Sequence, residues 1–475
     1  MPKHQEHLEF ILKWSRHDNR AIARQKVSEL TDFLINESGQ GLNLNGADLS
    51  GCNLEGFNLR QATLNQSKIY GTNLAKADLS GSTLICPGME RTNLSGAILR
   101  GAYIHALAAQ VCNFHDADLA GLVDATGSLF HGCSMPSVKA SGSVFAGATF
   151  YQCDLEGADF SGANLQGCNF NECILDKANL SIAFLSQTTI TKSRMQNTVL
   201  NQSMGRGLVL QRLTSCDGLQ LLNADFPLLR CDGLRGSELK AEGLKAPNAD
   251  FNECSLYNTN FSKATLSGSH WKSCHLEGAD FSEAKLEAAS FLTSSMPKII
   301  LERALAENLR VVESRLTGAK MAGFVGRCAT FRDCDLAEAD LSRAYLYRAM
   351  FTGDPPRAMC MREVDLRDAI LVQAYITADL REANLRGANC TYARLNQCNM
   401  RAADLSGVSI YEASLVKTDF TDARLVGIEP PFFADRCPGL LAALEASAAP
   451  EALARVVSFL SRLEQLLRDS PKEST

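Results

Sequence analysis

Catalytic signatures and long apolar runs are what this 475-residue sequence lacks. It contains no G-x-x-x-x-G-K-[ST], H-E-x-x-H or G-x-S-x-G motif, and no pair of CxxC motifs with the spacing of a zinc site. No stretch approaches 18 consecutive apolar residues, so the sequence predicts no transmembrane helix. The first seven residues also lack a basic leader followed by an apolar run, so we expect no signal peptide and a cytoplasmic location. Export by a route that needs no signal peptide stays open.

The sequence also has no excess of either charge, and aromatic residues are few. Lys and Arg total 47 against 53 Asp and Glu, which gives a net charge of −6, and only two Trp occur. Weak net acidity argues against a protein that binds duplex DNA through a basic surface. The 17 cysteines are typical of reduced cytosolic thiols, because no signal peptide directs the chain to an oxidising compartment.

What the sequence does contain is a five-residue repeat. Between residues 150 and 200 every fifth residue is large and apolar, and we call these the central positions. They are Phe150, Leu155, Phe160, Leu165, Phe170, Leu175, Leu180, Leu185, Ile190, Met195 and Leu200. The residue two places earlier, the small position, is always small in this run, and the residue between is often Asp or Asn. Similar runs cover 44–84, 251–296, 331–351 and 380–425.

A five-residue step fits neither the period of 3.6 of a helix nor the period of 2 of a strand. The small and central residues must share one side, as alternate residues of a strand do. Because the alternation resets with every repeat, the chain must turn a corner once per repeat, and four repeats close one square coil. Successive coils then stack as parallel strands about 4.8 Å apart. The central residues fill the tube, and a Gly such as Gly157 or Gly162 tolerates the corner dihedral angles.

The recurring A(D/N)LxG pattern, as in Gly157–Phe170, resembles the pentapeptide repeat family over most of residues 42–427. The resemblance implies an all-β solenoid, a right-handed quadrilateral parallel β-helix. Its core ladder is predicted to include Phe160, Leu165, Phe170, Phe281, Leu385, Leu405 and Leu425.

The pattern predicts three segments. Residues 1–38 read as a helical cap, residues 39–428 as the β-helix, and residues 429–475 as a helical cap or a dimerisation segment. Either role of the C-terminal segment uses an apolar helical stripe, and related proteins often dimerise there. The candidate dimer interface is Leu453, Val456, Val457, Leu460, Leu463 and Leu467.

The repeat weakens at several places inside the β-helix, and each predicts an irregularity. These places are 85–92, where Cys86-Pro87-Gly88 predicts a loop, 120–145, 201–248, 292–330 and 352–362. One repeat between Ile376 and Leu380 is a residue short, and the central positions change register within 120–145. For 292–316 a helical excursion and a distorted coil fit the sequence equally well.

Nine cysteines fall at small positions, where a buried Cys substitutes for Ala. They are Cys52, Cys112, Cys153, Cys168, Cys173, Cys254, Cys274, Cys334 and Cys398. The pairs Cys153/Cys173 and Cys254/Cys274 lie four repeats apart, so their Cα atoms should be about 5 Å apart, a distance that disulfide geometry permits. We nevertheless predict free thiols, because parallel Cβ vectors would hold the two Cβ atoms slightly too far apart.

No catalytic residue, metal site or cofactor is predicted. The best metal candidate combines His270, Cys274 and His275, but the register turns Cys274 inward and the two histidines outward on adjacent faces. The many Asp and Asn residues are predicted to be solvated outward columns, such as Asp379, Asn399 and Asp419, in which Asn dilutes like charge.

These observations favour a non-enzymatic, rod-shaped scaffold for protein–protein interaction in a bacterium, with a partner of unknown identity. The family resemblance implies two alternatives. One is a DNA mimic that binds a type II topoisomerase, DNA gyrase or topoisomerase IV, and protects it from poisons such as quinolone antibiotics. The other is a secreted effector that acts in a host cell. The mimic requires a sustained acidic field, for which a net charge of −6 is small.

Overall fold

The computed structural model describes residues 41, 43–354, 359–428 and 443, which form a parallel β-solenoid. The chain divides into two compact units, Met1–Lys245 and Ala246–Thr475, and each is described by itself. The helical caps predicted for 1–38 and 429–475, with the candidate dimer interface, lie outside the described residues.

Short parallel strands build the first unit. Its strands are β1 (Thr83–Ile85), β2 (Gly88–Glu90), β3 (Tyr103–His105), β4 (Ala108–Gln110), β5 (Leu129–His131), β6 (Thr149–Tyr151), β7 (Asn169–Asn171), β8 (Thr189–Thr191), β9 (Val209–Gln211), β10 (Arg230–Asp232) and β11 (Arg235–Ser237). Strand β1 pairs with β3, and the order β2-β4-β5-β6-β7-β8-β9-β10 forms one sheet.

The second unit repeats this arrangement. Its strands are β12 (Asp250–Asn252), β13 (Ser255–Tyr257), β14 (His270–Lys272), β15 (Ser290–Leu292), β16 (Arg310–Val312), β17 (Thr330–Arg332), β18 (Met350–Thr352), β19 (Met359–Cys360), β20 (Tyr375–Ile376) and β21 (Ala378–Asp379). The order β12-β14-β15-β16-β17-β18-β20 forms a sheet, and β19 pairs with β21.

Each coil has four faces, as the five-residue step predicts. Phe150 in β6 pairs with Phe170 in β7, which lies four repeats further along the chain. The other three faces are joined by single parallel bridges with the same offset of four repeats, at Asp154, Asp159 and Asn164. The predicted coil of four repeats and its parallel stacking are therefore confirmed.

The corners explain why glycine is frequent. At one corner the N–H of Ala163 donates to the carbonyl of Phe160 at 3.0 Å, and Gly162 between them has φ 64°. This is the hydrogen bond and the positive φ of a type II turn. Other residues occupy the same left-handed position elsewhere, among them Ile182 at φ 60°.

Ile182 is strained, because a β-branched side chain is disfavoured at positive φ by roughly 1–2 kcal/mol. Its side chain is 53% exposed, so little packing offsets the strain. We expect Ile182→Gly to stabilise the protein by about 0.5–1 kcal/mol, after the larger chain entropy of glycine is subtracted. The reverse change at the equivalent corner, Gly162→Ala, should destabilise by about 1 kcal/mol. Urea unfolding of the two variants checks both signs, and equal signs would contradict this explanation.

The core is a set of stacked ladders. Phe130, Phe150 and Phe170 stack with ring centroids 4.8 and 4.7 Å apart and nearly parallel planes. In the second unit Trp271 stacks on Phe251 at 3.7 Å, and its indole N–H donates to the Ser269 hydroxyl at 2.9 Å. The hydroxyl at a small position therefore satisfies the one polar atom of the largest core residue.

Two of the five places where the sequence pattern weakens continue as ordinary coil. The loop predicted at 85–92 is wrong, because β2 pairs with β4 in the regular register. Pro87 is tolerated because this position does not use its N–H to pair strands. At the equivalent position of the next coil, the N–H of Leu107 donates to the Ser128 hydroxyl and not to a neighbouring strand, so a proline without an N–H removes no hydrogen bond between strands. Residues 292–316 are coil with the regular offset throughout, so the helical excursion is also wrong.

Insertions and one deletion account for the other irregular places. Bridge partners in regular coils are 20 residues apart in the sequence. The separation is 21 between Tyr103 and Asp124 and again between Arg194 and Ser215, so one extra residue is inserted in each place. The separation between bridge partners is 25 for Asp335 and Cys360, five residues more than in a regular coil, and 19 for Tyr375 and Arg394, one residue fewer. The change of register within 120–145 and the short repeat after Ile376 are therefore confirmed.

In residues 231–246 the sizes of the two inner positions are exchanged. Leu234, Leu239 and Leu244 keep the five-residue step, but they lie at the small position and are buried. The central positions beside them hold the small residues Gly236, Ala241 and Ala246. Each of these sides therefore still places one large and one small residue in the tube, as close packing of the interior requires.

Candidate interaction surface

The residues of the predicted core ladder lie in the interior. All seven are at most 1% exposed: Phe160, Leu165, Phe170, Phe281, Leu385, Leu405 and Leu425. They fill the tube with side chains, so any functional surface of the described coils must lie on their outer faces.

The histidine and cysteine group at 270–275 does not converge. Cys274 is buried, and its sulfur donates to the carbonyl of Phe251 at 3.4 Å. His270 is exposed in β14 and contacts the Ser290 hydroxyl, whereas His275 is bridged to Ser255 on the next face. Within the described ranges, no group of three or more His, Cys, Asp or Glu side chains is arranged to hold a metal ion.

The buried cysteines behave as small core residues. Cys112, Cys133, Cys153 and Cys173 form one inner column, and the sulfurs of Cys153 and Cys173 donate to main-chain carbonyls at 3.3 Å. Burial raises the pKa of the Cys168 thiol to about 12, so it stays protonated and unreactive at neutral pH. None of the described cysteines forms a disulfide, and among them Cys86 alone is exposed.

We therefore expect thiol titration of the unfolded chain to give the same count with and without reductant. In the folded protein Cys86 should react first, because a thiol reagent cannot reach the inner columns. A Cys86→Ser variant should lose this fast phase only. A count that rises by two when reductant is added would contradict the free-thiol assignment.

The outward Asp and Asn residues have a structural role that the sequence did not reveal. Their side-chain oxygens accept a hydrogen bond from the main-chain N–H two residues later, as Asp159 does from Ser161 at 3.0 Å. Asp340 and Asp419 do the same for Ser342 and Thr421 at 2.9 Å. Each such residue satisfies a corner N–H, which is the mechanism of an Asx turn.

These hydrogen bonds predict a loss of stability in acid. The Thr421 hydroxyl and the corner N–H donate to Asp419 and lower its pKa, against a smaller opposing effect of partial burial. Since the folded pKa lies below that of the unfolded chain, the unfolded state takes up protons first as pH falls. We expect the free energy of unfolding to be constant from pH 7 to about 5 and to decrease below about pH 4. The decrease should be smaller in Asp419→Asn, and a gain of stability in acid would contradict the assignment.

Arginines neutralise many of the outward carboxylates. Arg100 contacts Asp118 at 2.6 Å in the first unit, and Arg381 contacts Asp379 at the same distance in the second. Burial alone would raise the pKa of Asp379, but the hydrogen bonds and charge of Arg381 outweigh it and lower the pKa. The described faces therefore carry both signs of charge in close alternation.

One apolar ladder stands out on the outer surface of the second unit. Leu305, Val325, Tyr345 and Ile370 follow one another as bridge partners in successive coils, and we call them the Tyr345 ladder. Leu305 is 40% exposed, and Tyr345 and Ile370 are 38% exposed. Around the adjacent corner, Met350 in β18 pairs with Tyr375 in β20 and both are exposed.

Comparison with known proteins identifies the repeat. The family model described as pentapeptide repeats matches the chain in eight copies, over residues 43–101, 124–191, 241–291, 327–353 and 360–427. No curated protein matches the chain.

Several solved structures are similar at low identity. HetL, a pentapeptide repeat protein involved in heterocyst differentiation regulation in Nostoc sp. strain PCC 7120, is 19% identical. The match covers 63% of this chain and 89% of HetL with a TM-score of 0.19. QnrB1, a plasmid-mediated fluoroquinolone resistance protein, is 19% identical over 46% of this chain and 96% of its own, with a TM-score of 0.22. The mannuronan C-5 epimerase AlgE4 A-module of Azotobacter vinelandii is 9% identical over 74% of this chain and 88% of its own, with a TM-score of 0.21.

Proposed function

Because the chain belongs to the pentapeptide repeat family, we propose that it is a non-enzymatic scaffold for protein–protein interaction. The observation that carries this proposal is the Tyr345 ladder, a contiguous row of apolar side chains, three exposed and Val325 half-buried, on a backbone fixed by parallel pairing. Contiguous exposed apolar side chains mark interaction sites more often than isolated ones do. The described residues include no candidate membrane-spanning helix.

Charge favours this function over DNA mimicry. A mimic that binds DNA gyrase or topoisomerase IV needs a field of one sign along a face. In the described coils, acidic residues such as Asp365 and Asp379 are each paired with an arginine two residues later. Topoisomerase binding and protection from poisons therefore stay a second hypothesis, which a supercoiling assay with and without a quinolone tests directly. Action as a secreted effector stays a prediction, which a translocation reporter fused to residues 1–38 tests.

Site-specific photo-crosslinking in cells of the source organism tests the scaffold function. Arg315, Lys320, Val325 and Thr330 precede central residues on the four successive faces, so one photoreactive residue at each samples every side. We expect a discrete cross-linked protein from at least one face, and saturable binding when that protein is purified. Absence of a discrete product at all four positions would contradict the proposal.

A further inference from the structure

We propose that the Tyr345 ladder and its arginine rim bind an acidic, amphipathic segment of a partner protein. The segment would present apolar side chains flanked by carboxylates. The rim is defined by four arginines around the ladder: Arg310, Arg343, Arg348 and Arg394. The inference rests on the proposed scaffold function and adds the surface and the chemistry of its partner.

The apolar part of the surface is continuous and wraps a corner. The Tyr345 ladder supplies four neighbouring side chains on one face, and Met350 and Tyr375 extend it onto the next. Met350 is 43% and Tyr375 37% exposed, so each has area left to bury. Tyr, Met and Arg are the residues enriched where protein interfaces are buried.

The corner between the two faces is preorganised. The Tyr347 ring lies 6.5 Å from the Tyr345 ring, and the guanidinium groups of Arg348 and Arg327 lie over it at 5.2 and 5.9 Å. The side-chain oxygen of Gln373 accepts hydrogen bonds from the Tyr347 hydroxyl at 3.1 Å and from Arg348 at 2.7 Å. Because these side chains are already held, a partner loses less of its binding free energy to ordering them.

The rim selects the charge of the partner. Arg310, Arg343, Arg348 and Arg394 form no ion pair with any residue in the described ranges, whereas Arg327 at the same corner contacts Glu307 at 3.9 Å. Arg394 pairs in register with Tyr375, and Arg343 lies two residues before Tyr345. Asp368, two residues before Ile370, and Glu302, three residues before Leu305, are opposing charges at this edge. The excess of unpaired guanidinium groups favours carboxylates, which they bind with two parallel hydrogen bonds.

Two other occupants fit less well. Single-stranded nucleic acid binds by stacking bases on aromatic rings, but Leu305, Val325 and Ile370 are aliphatic and arginines cover the Tyr347 ring. A second copy in a two-fold contact would bring the same arginine rim against itself, since both partners use one patch.

Selection of random linear peptides displayed on phage, with the full chain as target, tests the inference. We expect the recovered peptides to be enriched in Asp and Glu beside apolar residues. A synthetic peptide from the pool should bind at least about tenfold more weakly to Tyr345→Ser/Ile370→Ser, because both side chains lie in the centre of the patch. Arg343→Glu should also weaken binding, and added salt should weaken binding to the unmodified protein.

The matched control is Phe184→Ser/Met204→Ser on the first unit. Phe184 and Met204 are bridge partners, and their exposure is similar to that of Tyr345 and Ile370. The residues bridged to them in the coils on either side are Asn164 and Asp225, so they do not belong to a longer apolar row. It should leave peptide binding unchanged. Equal thermal unfolding of all variants shows that each has folded.

Several results would overturn the inference. They are a pool without acidic enrichment, an empty selection, binding that survives the Tyr345 variant, competition by single-stranded DNA, and a dimer in sedimentation that the same variant abolishes. The scaffold function is judged separately, because a photo-crosslink at Arg315 or Lys320, without one at Val325 or at Thr330 in the column of Met350, would support it and remove only this surface.

Discussion

Replacing Phe150 with alanine should destabilise the first unit by about 3–5 kcal/mol. The Phe150 ring is 0% exposed and lies between Phe130 and Phe170, with parallel planes at 4.8 and 4.7 Å. The Phe145 ring is tilted against it at a centroid distance of 5.8 Å, and Phe160 contacts it edge-on at 6.1 Å. The cavity left by the ring cannot close, because the coils above and below are fixed by main-chain hydrogen bonds. Urea unfolding monitored by circular dichroism measures the loss.

The control for this prediction is Phe184→Ala, the same substitution on the outside of the same unit. Phe184 is 49% exposed, so its loss should change stability by less than about 1 kcal/mol. Similar losses for the two variants would show that Phe150 is not in a packed ladder.

Replacing Gly205 with leucine should destabilise the protein by about 3 kcal/mol or more, although it restores the residue that the repeat prefers. Gly205 lies at a central position, where most repeats carry a large apolar residue. A Cβ there would lie 2.4 Å from the carbonyl carbon of Leu185 and 2.4 Å from the nitrogen of Ser186. Both atoms belong to the backbone of the neighbouring coil, so the clash can be relieved only by moving a paired strand.

Gly162→Ala provides the comparison for this second prediction. An added Cβ at Gly162 meets nothing within 4 Å, and only the positive φ of 64° opposes it. Its cost should stay near 1 kcal/mol, so a Gly205→Leu variant as stable as Gly162→Ala would contradict the close approach at Leu185.

The five-residue step allowed the coil, its four faces and its inner and outer residues to be predicted from the sequence. It did so because each side of the coil obeys the same local rule of one small and one large inner residue. The exchange of sizes at Leu239 and Ala241 was not predicted. The sequence pattern shows where the large residues recur, but it does not show that a small residue two positions later leaves the space that the large one fills. Pro87 was misread for a related reason, because its effect depends on which N–H the ladder uses.

The Tyr345 ladder could not be predicted from the sequence. The bridge partners Tyr345 and Ile370 are separated in the sequence by five residues more than partners in a regular coil, and Tyr375 and Arg394 are separated by one residue fewer. The five additional residues between Phe351 and Cys360 and the residue missing after Ile376 must be placed before these side chains can be assigned to one surface. The Tyr345–Tyr347 corner and its arginines therefore emerge only from the three-dimensional register.

Cross-linking by a short fluorogenic reagent that carries two alkyl halide groups, each displaced by one thiolate, tests the stacking of coils most directly. In a Cys86→Ser background, Asp159→Cys and Asn179→Cys place two outward thiols on bridge partners in adjacent coils. About 4.8 Å then separates the two strands. The account predicts rapid bridging of this pair, and none of Asp159→Cys with Asn169→Cys, which lie on opposite faces. Bridging of the second pair in preference to the first would contradict a coil of four repeats.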